Sequence, residues 1–300
     1  MASVYLSAYK TGLLAKRAAE AWNMLGNCIV CPRKCRVNRL EGEKGICKTG
    51  QKASVASYFA HFGEEKPLVG TNGSGTIFFS NCSLLCSFCQ NYEISHMGEG
   101  VEVSADRLAD IMIYLQDLGC HNINFVTPTH VVPQILQALS IAVEKGLTIP
   151  LVYNSGGYDD HETLKLLDGI IDIYMPDIKF LDSQLSVELC NVSDYSEVVR
   201  KSIVEMHRQS GNLEVNDKGI AVRGLLVRHL LMPDCVQDFK NILQFIKENI
   251  SVDTYLNIMP QYRACYKILI DSVFARGVTI SEYRNAINYA RKEGFTNLDI

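Results

Sequence analysis

The 300-residue sequence has no run approaching the roughly 18 apolar residues of a membrane span. Its opening stretch, MASVYLSAYKTGLLAKRAAEAWNML, lacks a basic start followed by a sustained apolar segment. Both absences argue against a membrane partner and a secretory address, so the expectation is a cytoplasmic protein. An excess of positive charge is missing as well: the net charge is −4 with 21% charged residues, which leaves no basic field to draw in nucleic acid. Internal repeats, low-complexity tracts and long linkers are absent. What remains, 47% hydrophobic, describes an ordinary globule that buries roughly three quarters of its unfolded surface and needs no disulfide staples.

Cysteine is what the chain does have. There are eleven, an odd number, and seven of them crowd into residues 28 to 89. Without a secretory context, such tight spacings point to metal ligation or redox chemistry in a reducing compartment rather than to a disulfide framework.

From residue 76 onward, short β-branched apolar runs alternate with helical patterns. The runs are Thr76–Ser80, Asn122–Thr127, Ile149–Ser155, Asp172–Phe180, Gly224–Met232 and Thr254–Met259. Helix-like segments lie at about 104–118, 131–145, 161–168, 195–210, 235–249 and 280–293. Six βα units in series predict an α/β fold with a parallel sheet, curled by right-handed crossovers into a partial barrel with functional residues at the C-terminal strand ends. Residues 1–75 read as an N-terminal helix over 4–25 followed by a small cysteine-rich, metal-binding extension, and residues 76–300 as the barrel. That first helix is expected to bury Tyr5, Ala8, Leu13 and Ala19 and to solvate Lys10, Lys16 and Arg17.

Directly after the first run stands SNCSLLCSFCQN, with Cys82, Cys86 and Cys89 spaced C-x3-C-x2-C and no fourth cysteine nearby. Structural zinc wants four protein ligands. A 4Fe-4S cubane also takes four, one per iron, so three local thiols would leave one iron free for a small molecule. Phe88 and Leu84 can shield such a cluster from water. The residues alone also admit zinc with a remote fourth ligand, or three unreactive core thiols.

This motif at the end of a first strand, with an aromatic residue before the last cysteine, resembles the signature of the radical S-adenosylmethionine (SAM) superfamily. GSGTIFFSNCSLLCSFCQNYEIS resembles the subgroup similar to pyruvate formate-lyase activating enzyme, and the likeness extends over about residues 28–265. The resemblance implies a partial (β/α)6 TIM-type barrel in which Cys82, Cys86 and Cys89 hold a 4Fe-4S cluster and SAM chelates the open iron. It implies reductive cleavage of SAM to methionine and a 5'-deoxyadenosyl radical, which abstracts hydrogen from a substrate. Implied partners are SAM, an electron donor such as flavodoxin or ferredoxin, and a glycyl radical enzyme. The alternatives are an epimerase or modifying enzyme acting on a small molecule or peptide, and a non-catalytic iron-sulfur redox or sensor protein.

The remaining strand ends supply candidate SAM contacts. The second ends in NFVTPTHVVP, where the family often carries Gly-Gly-Glu; here Thr129 and His130 offer the polar groups, His130 reading equally as a solvated loop residue. The third ends in LVYNSGGYD, with Asn154 and Ser155 as hydrogen-bonding side chains and Gly156-Gly157 as either a close backbone approach or a plain turn. In the fourth, Asp177-x-Lys179 resembles the family's Asp-x-Lys, and reads otherwise as a structural ion pair. Arg228 in the fifth strand needs an anionic partner, the SAM carboxylate or Asp177; Gln261 and Tyr262 follow the sixth.

A second group, Cys28-x2-Cys31-x3-Cys35-x11-Cys47, suits structural zinc or an auxiliary iron-sulfur cluster. Arg33, Lys34, Arg36 and Arg39 among these cysteines read as a solvated basic face, and Cys120, Cys190, Cys235 and Cys265 as ordinary buried or half-buried thiols.

Overall fold

The computed structural model describes residues 2–299. Its strands are β1 (Ala53–His61), β2 (Ser74–Phe79), β3 (Val101–Val103), β4 (Ile123–Val126), β5 (Leu151–Ser155), β6 (Ile173–Pro176), β7 (Glu214–Val215), β8 (Ala221–Leu230), β9 (Tyr255–Met259) and β10 (Leu298–Asp299). They form one sheet in the order β10-β9-β8-β6-β5-β4-β2-β1-β3, with β7 paired to β8 off this path. From β2 to β10 every neighbour along the path is parallel, whereas β1 runs antiparallel to β2 and β3 antiparallel to β1. The six predicted runs correspond to β2, β4, β5, β6, β8 and β9, so the fold is the expected α/β partial (β/α)6 barrel, except that β6 ends at Pro176 and leaves Asp177, held by an isolated bridge to Arg228, and Lys179 beyond the strand on which they were expected.

Alternation along the strands divides two environments. Ile77, Phe125, Tyr153, Tyr174 and Leu225 pair across the sheet in one row, and all are buried in the main core beneath the helices. The opposite face of the sheet carries Val152, Ile173, Met175 and Leu226, which pack with Leu68 from the short helix Lys66–Val69. The connection between β1 and β2 therefore fills one end of the barrel interior.

The six expected helices are Ala105–Asp117, Val132–Glu144, His161–Leu166, Tyr195–Ser210, Val236–Asn249 and Ile280–Lys292. Three begin on side-chain caps: Ser104 accepts from Arg107 N–H, Asp160 from Glu162 and Thr163 N–H, and Thr279 forms a reciprocal capping box with Glu282.

The expected helix over 4–25 is instead two α-helices, Val4–Lys10 and Leu13–Asn23. Gly12, at φ +76°, breaks it and changes the phase of the second helix, so that Leu14 and Ala18 are buried where Leu13 and Ala19 were expected. The strands β1, β3, β7 and β10 lie outside the predicted runs.

Candidate active site

The chain leaves β2 through a loop that adopts left-handed backbone at two non-glycine residues, Asn81 (φ +71°) and Leu85 (φ +61°). Such conformations persist only where surrounding contacts over-determine them. The loop turns Cys82, Cys86 and Cys89 onto one cavity of about 260 Å³ at the C-terminal ends of the parallel strands, with Leu84 and Phe88 in its wall. Phe88 packs edge-on against Phe180, 5.8 Å between ring centroids. Burial pushes the Cys82 thiol up to about 12, and burial likewise raises Cys89.

Two other cysteines stand behind this loop without lining the cavity. Cys190, at the end of the helix Ser183–Cys190, has its Sγ within hydrogen-bond distance of Cys86 Sγ at 3.5 Å, and this contact with burial raises the Cys86 thiol. Cys265 Sγ donates to the carbonyls of Phe88 and Cys89, both at 3.3 Å. The sequence presents both as scattered thiols because each reaches the loop from a distant element.

Opposite the thiols lies a charged network. Lys179 Nζ is 3.0 Å from Asp177 Oδ2, and Arg228 Nε is 2.9 Å from Asp177 Oδ1. Arg228 also reaches Asn154 Oδ1 (2.7 Å) and Glu64 Oε2 (3.1 Å). Burial alone would raise the Asp177 carboxyl, but Arg228 and Lys179 outweigh it and hold it below the usual carboxylate range. Burial would lower Lys179, yet Asp177 keeps its ammonium well above the ordinary lysine range. Asn154, Asp177, Lys179 and Arg228 all line the cavity. The ion-pair reading of Asp177 and Lys179 thus describes what these residues do to each other, and the cavity-facing reading describes where they point. Glu64, on the β1–β2 connection, carries no periodic signal in the sequence and was not among the candidates. The helix Tyr195–Ser210 closes the network from below, since the Tyr195 hydroxyl accepts from Lys179 N–H (2.9 Å) and donates to Gly156 O (2.8 Å). Gly157 (φ +74°) lies so close that an added Cβ would stand 2.4 Å from Asp177 O.

Thr129 and Ser155 also line the cavity, but their hydroxyls donate to a buried residue the sequence reading missed. Asp159 accepts from Thr129 Oγ1 (2.6 Å), Ser155 Oγ (2.6 Å) and the Tyr153 hydroxyl (2.8 Å). His130 is neither solvated nor in the cavity wall. It is 1% exposed, its Nε2 is 3.0 Å from Ser80 O, and burial followed by the nearby Arg39 charge lowers its imidazole to about 4. Gln261 lines the cavity, whereas Tyr262 points away and donates to Phe274 O (2.8 Å).

The N-terminal cysteines sit on a folded segment. Cys28 N–H donates to Val37 O and Arg36 N–H to Cys28 O, both at 2.9 Å, while Lys34 N–H closes a turn onto Cys31 O (3.0 Å). Ile46 N–H approaches Cys35 Sγ at 3.5 Å, which brings the neighbourhood of Cys47 to Cys35. Cys28, Cys31 and Cys47 are buried and Cys35 half-buried. Among the described residues, no three His, Cys, Asp or Glu side chains converge as ligands of a single metal ion would, here or in the loop after β2. The basic face expected here is only partly solvated. Arg39 is 1% exposed and donates to Gly50 O and His130 O, both at 2.9 Å, and Arg33 donates to carbonyls of the loop after β2.

The radical SAM superfamily matches residues 76–246. An uncharacterized protein of Methanocaldococcus jannaschii is 32% identical over 303 residues, covering 97% of this chain and 81% of that protein. A solved structure of the cobalamin-dependent S-adenosylmethionine radical enzyme OxsB, with aqua-cobalamin and S-adenosylmethionine bound, aligns at 12% identity and a TM-score of 0.39 over 74% of this chain and 31% of that one. The family match spans more than half of the chain and runs from β2 through β8, the strands that surround the cavity. The chain belongs to the radical SAM superfamily, which implies a 4Fe-4S cluster, SAM and an enzyme of SAM-dependent radical chemistry.

Proposed function

We propose that Cys82, Cys86 and Cys89 would hold the 4Fe-4S cluster and that Asn154, Asp177, Lys179 and Arg228 would hold SAM beside it. The observation that carries this reading is a cavity lined on one side by three thiols, with no fourth among the described residues, and on the other by a charged network. The donor set suits both groups. Three soft thiolates match iron, and a lysine and an arginine held cationic by Asp177 and Glu64 suit the carboxylate and ribose of SAM. When bound, the reduced cluster and SAM supply one-electron cleavage of a carbon-sulfur bond and hydrogen abstraction from a substrate. The chain's own residues position and exclude water. Leu84 and Phe88 wall the thiols from solvent, and Asp159 fixes the hydroxyls of Thr129 and Ser155 at the rim.

The proposed reaction is of the pyruvate formate-lyase activating type, an oxidoreductase whose target hydrogen lies on a glycine of a partner glycyl radical enzyme, with flavodoxin or ferredoxin as electron donor. A macromolecular partner is favoured by the irregular segment after β9. Lys267 N–H donates to Ser87 O of the cysteine loop (3.0 Å), and just beyond it Leu269 and Ile270 are 74% and 91% exposed. Cys28, Cys31, Cys35 and Cys47 are proposed to bind a second metal group that braces residues 28–50, ahead of the barrel at 76–300. Iron, sulfide and zinc analysis of the purified protein identifies that group.

The test is anaerobic reconstitution, reduction with dithionite and addition of SAM, followed by assay for 5'-deoxyadenosine. The native chain is expected to form it, and the triple Cys82, Cys86 and Cys89 to Ala variant is not. A reducible cluster that yields none, with an electron paramagnetic resonance spectrum indifferent to SAM, would overturn the reading.

A further inference from the structure

Arg33 lies inside the Cys31–Cys35 turn, yet its guanidinium is spent on the loop after β2. Nε donates to Ser83 O at 2.9 Å, Nη2 to Leu84 O at 3.1 Å and Nη1 to Asn191 O at 3.2 Å. The guanidinium carbon also stands 5.9 Å from the centroid of the Tyr158 ring. The two carbonyls it binds in the loop belong to the residues just before Leu85, one of the two left-handed positions. Left-handed backbone at a non-glycine residue is unfavourable in isolation, and a planar fork of donors can hold two successive carbonyls in one orientation where a point charge cannot.

The surrounding contacts come from the same segment. Asn81 Nδ2 donates to Thr49 Oγ1 (3.3 Å) and Lys48 Nζ to His96 O (3.2 Å), so residues 49 and 33 touch the loop at its start and middle, and residue 48 touches the end of the short helix Tyr92–Ser95 that follows it. The segment is in turn fastened to the barrel: Thr163 Oγ1 donates to Val30 O (2.8 Å), and Lys34 Nζ pairs with Asp160 at 3.1 Å. Arg33 itself does not line the cavity, whereas Ser83, Leu84 and Tyr158, which it touches, do.

We propose that Arg33 is a positioning residue for the cluster loop, fixing the backbone between Cys82 and Cys86 so that the three thiols face one cavity. The proposal rests on the assignment of the cluster to Cys82, Cys86 and Cys89. It gives the cysteine-rich segment a second role, because whatever orders the Cys31–Cys35 turn also places Arg33.

Arg33→Ala and Arg33→Lys would be reconstituted anaerobically beside the native chain and followed by visible absorbance, iron content and electron paramagnetic resonance, with far-ultraviolet circular dichroism as the check on folding. Loss of iron from the loop to a chelator should be at least about tenfold faster in R33A, with an altered resonance spectrum. R33K should lie close to R33A, because lysine keeps the charge and stem but not the fork. If R33A fails to fold, R33K carries the comparison. Iron release at the native rate with a native spectrum in the folded variants would overturn the proposal. A native chain that takes up no cluster at these thiols would instead overturn the function on which it rests.

Discussion

Asp177 is the acid on which the charged wall of the cavity depends, and its removal has a calculable cost. It meets Lys179 at 3.0 Å and Arg228 at 2.9 Å, and the side chains are 17%, 16% and 15% exposed. With Glu64, 3.1 Å from Arg228 and 7% exposed, the four groups sum to zero charge. Asp177→Asn leaves two cations and one anion in a poorly solvated site. Breaking a buried pair from one side costs about 3–5 kcal/mol, because the surviving charge is left uncompensated. At about 2.1 cal/mol/K per residue of unfolding entropy, a chain of this length should lose roughly 5–8 °C in Tm.

The control removes a matched pair. Asp177→Leu with Lys179→Met leaves Arg228 bound to Glu64 and Asn154 and returns the net charge to zero. Exchanging a buried ion pair for apolar side chains of similar volume is often near neutral, so this double variant should lie within about 1.5 kcal/mol of the native chain. Its production of 5'-deoxyadenosine should nonetheless fall, because both side chains face the cavity. Urea denaturation, with all three proteins in the same metal-loading state, measures the difference. A single variant within 1 kcal/mol of native, or a double variant as unstable as the single, would refute the argument that charge balance holds this wall together.

Gly157→Ala should cost at least about 2 kcal/mol, since alanine is strained at φ +74° and its Cβ would meet Asp177 O at 2.4 Å. Gly146→Ala, also at positive φ but with open space around it, should cost only the backbone strain, and equal midpoints in urea would contradict the close-approach reading. His229 is buried with its Nδ1 donating to Ile178 O at 2.7 Å, and burial lowers its imidazole to about 4. The neutral ring therefore contributes stability that is fully present above the unfolded value of about 6.5 and is lost as pH falls toward 4. Relative to the native chain, His229→Phe should gain about 1.4 kcal/mol per pH unit across that window; a difference independent of pH would show that the ring is not held neutral.

The fold was legible because its signals are local. A parallel strand buried on both faces reads as a short β-branched run, and six of them at regular intervals with helical patterns between leave few topologies. β1 and β3 gave no such run: β1 sits near the edge of the sheet with six of its nine residues only partly buried, and β3 has three residues. The site was legible where chemistry interrupts a pattern. Arg228 among apolar neighbours, Asp177-x-Lys179 just past the end of a buried strand and three thiols at a strand end each violate the local rule and so announce themselves. Glu64, Asp159, Arg33 and Cys190 violate nothing where they stand. Glu64 and Arg33 occupy loops in which charged residues are ordinary, Asp159 precedes a helix cap, and Cys190 ends a helix. Their roles exist only across contacts of 164 residues for Glu64 with Arg228, 104 for Cys190 with Cys86 and 50 for Arg33 with Ser83. The residues that face the cavity are thus written in the strands, while those that hold them in place come from segments whose sequence is indifferent to strand or helix. Substitutions in the cysteine-rich segment should for that reason act on the cavity through the geometry of the cysteine loop, before any loss of the barrel itself.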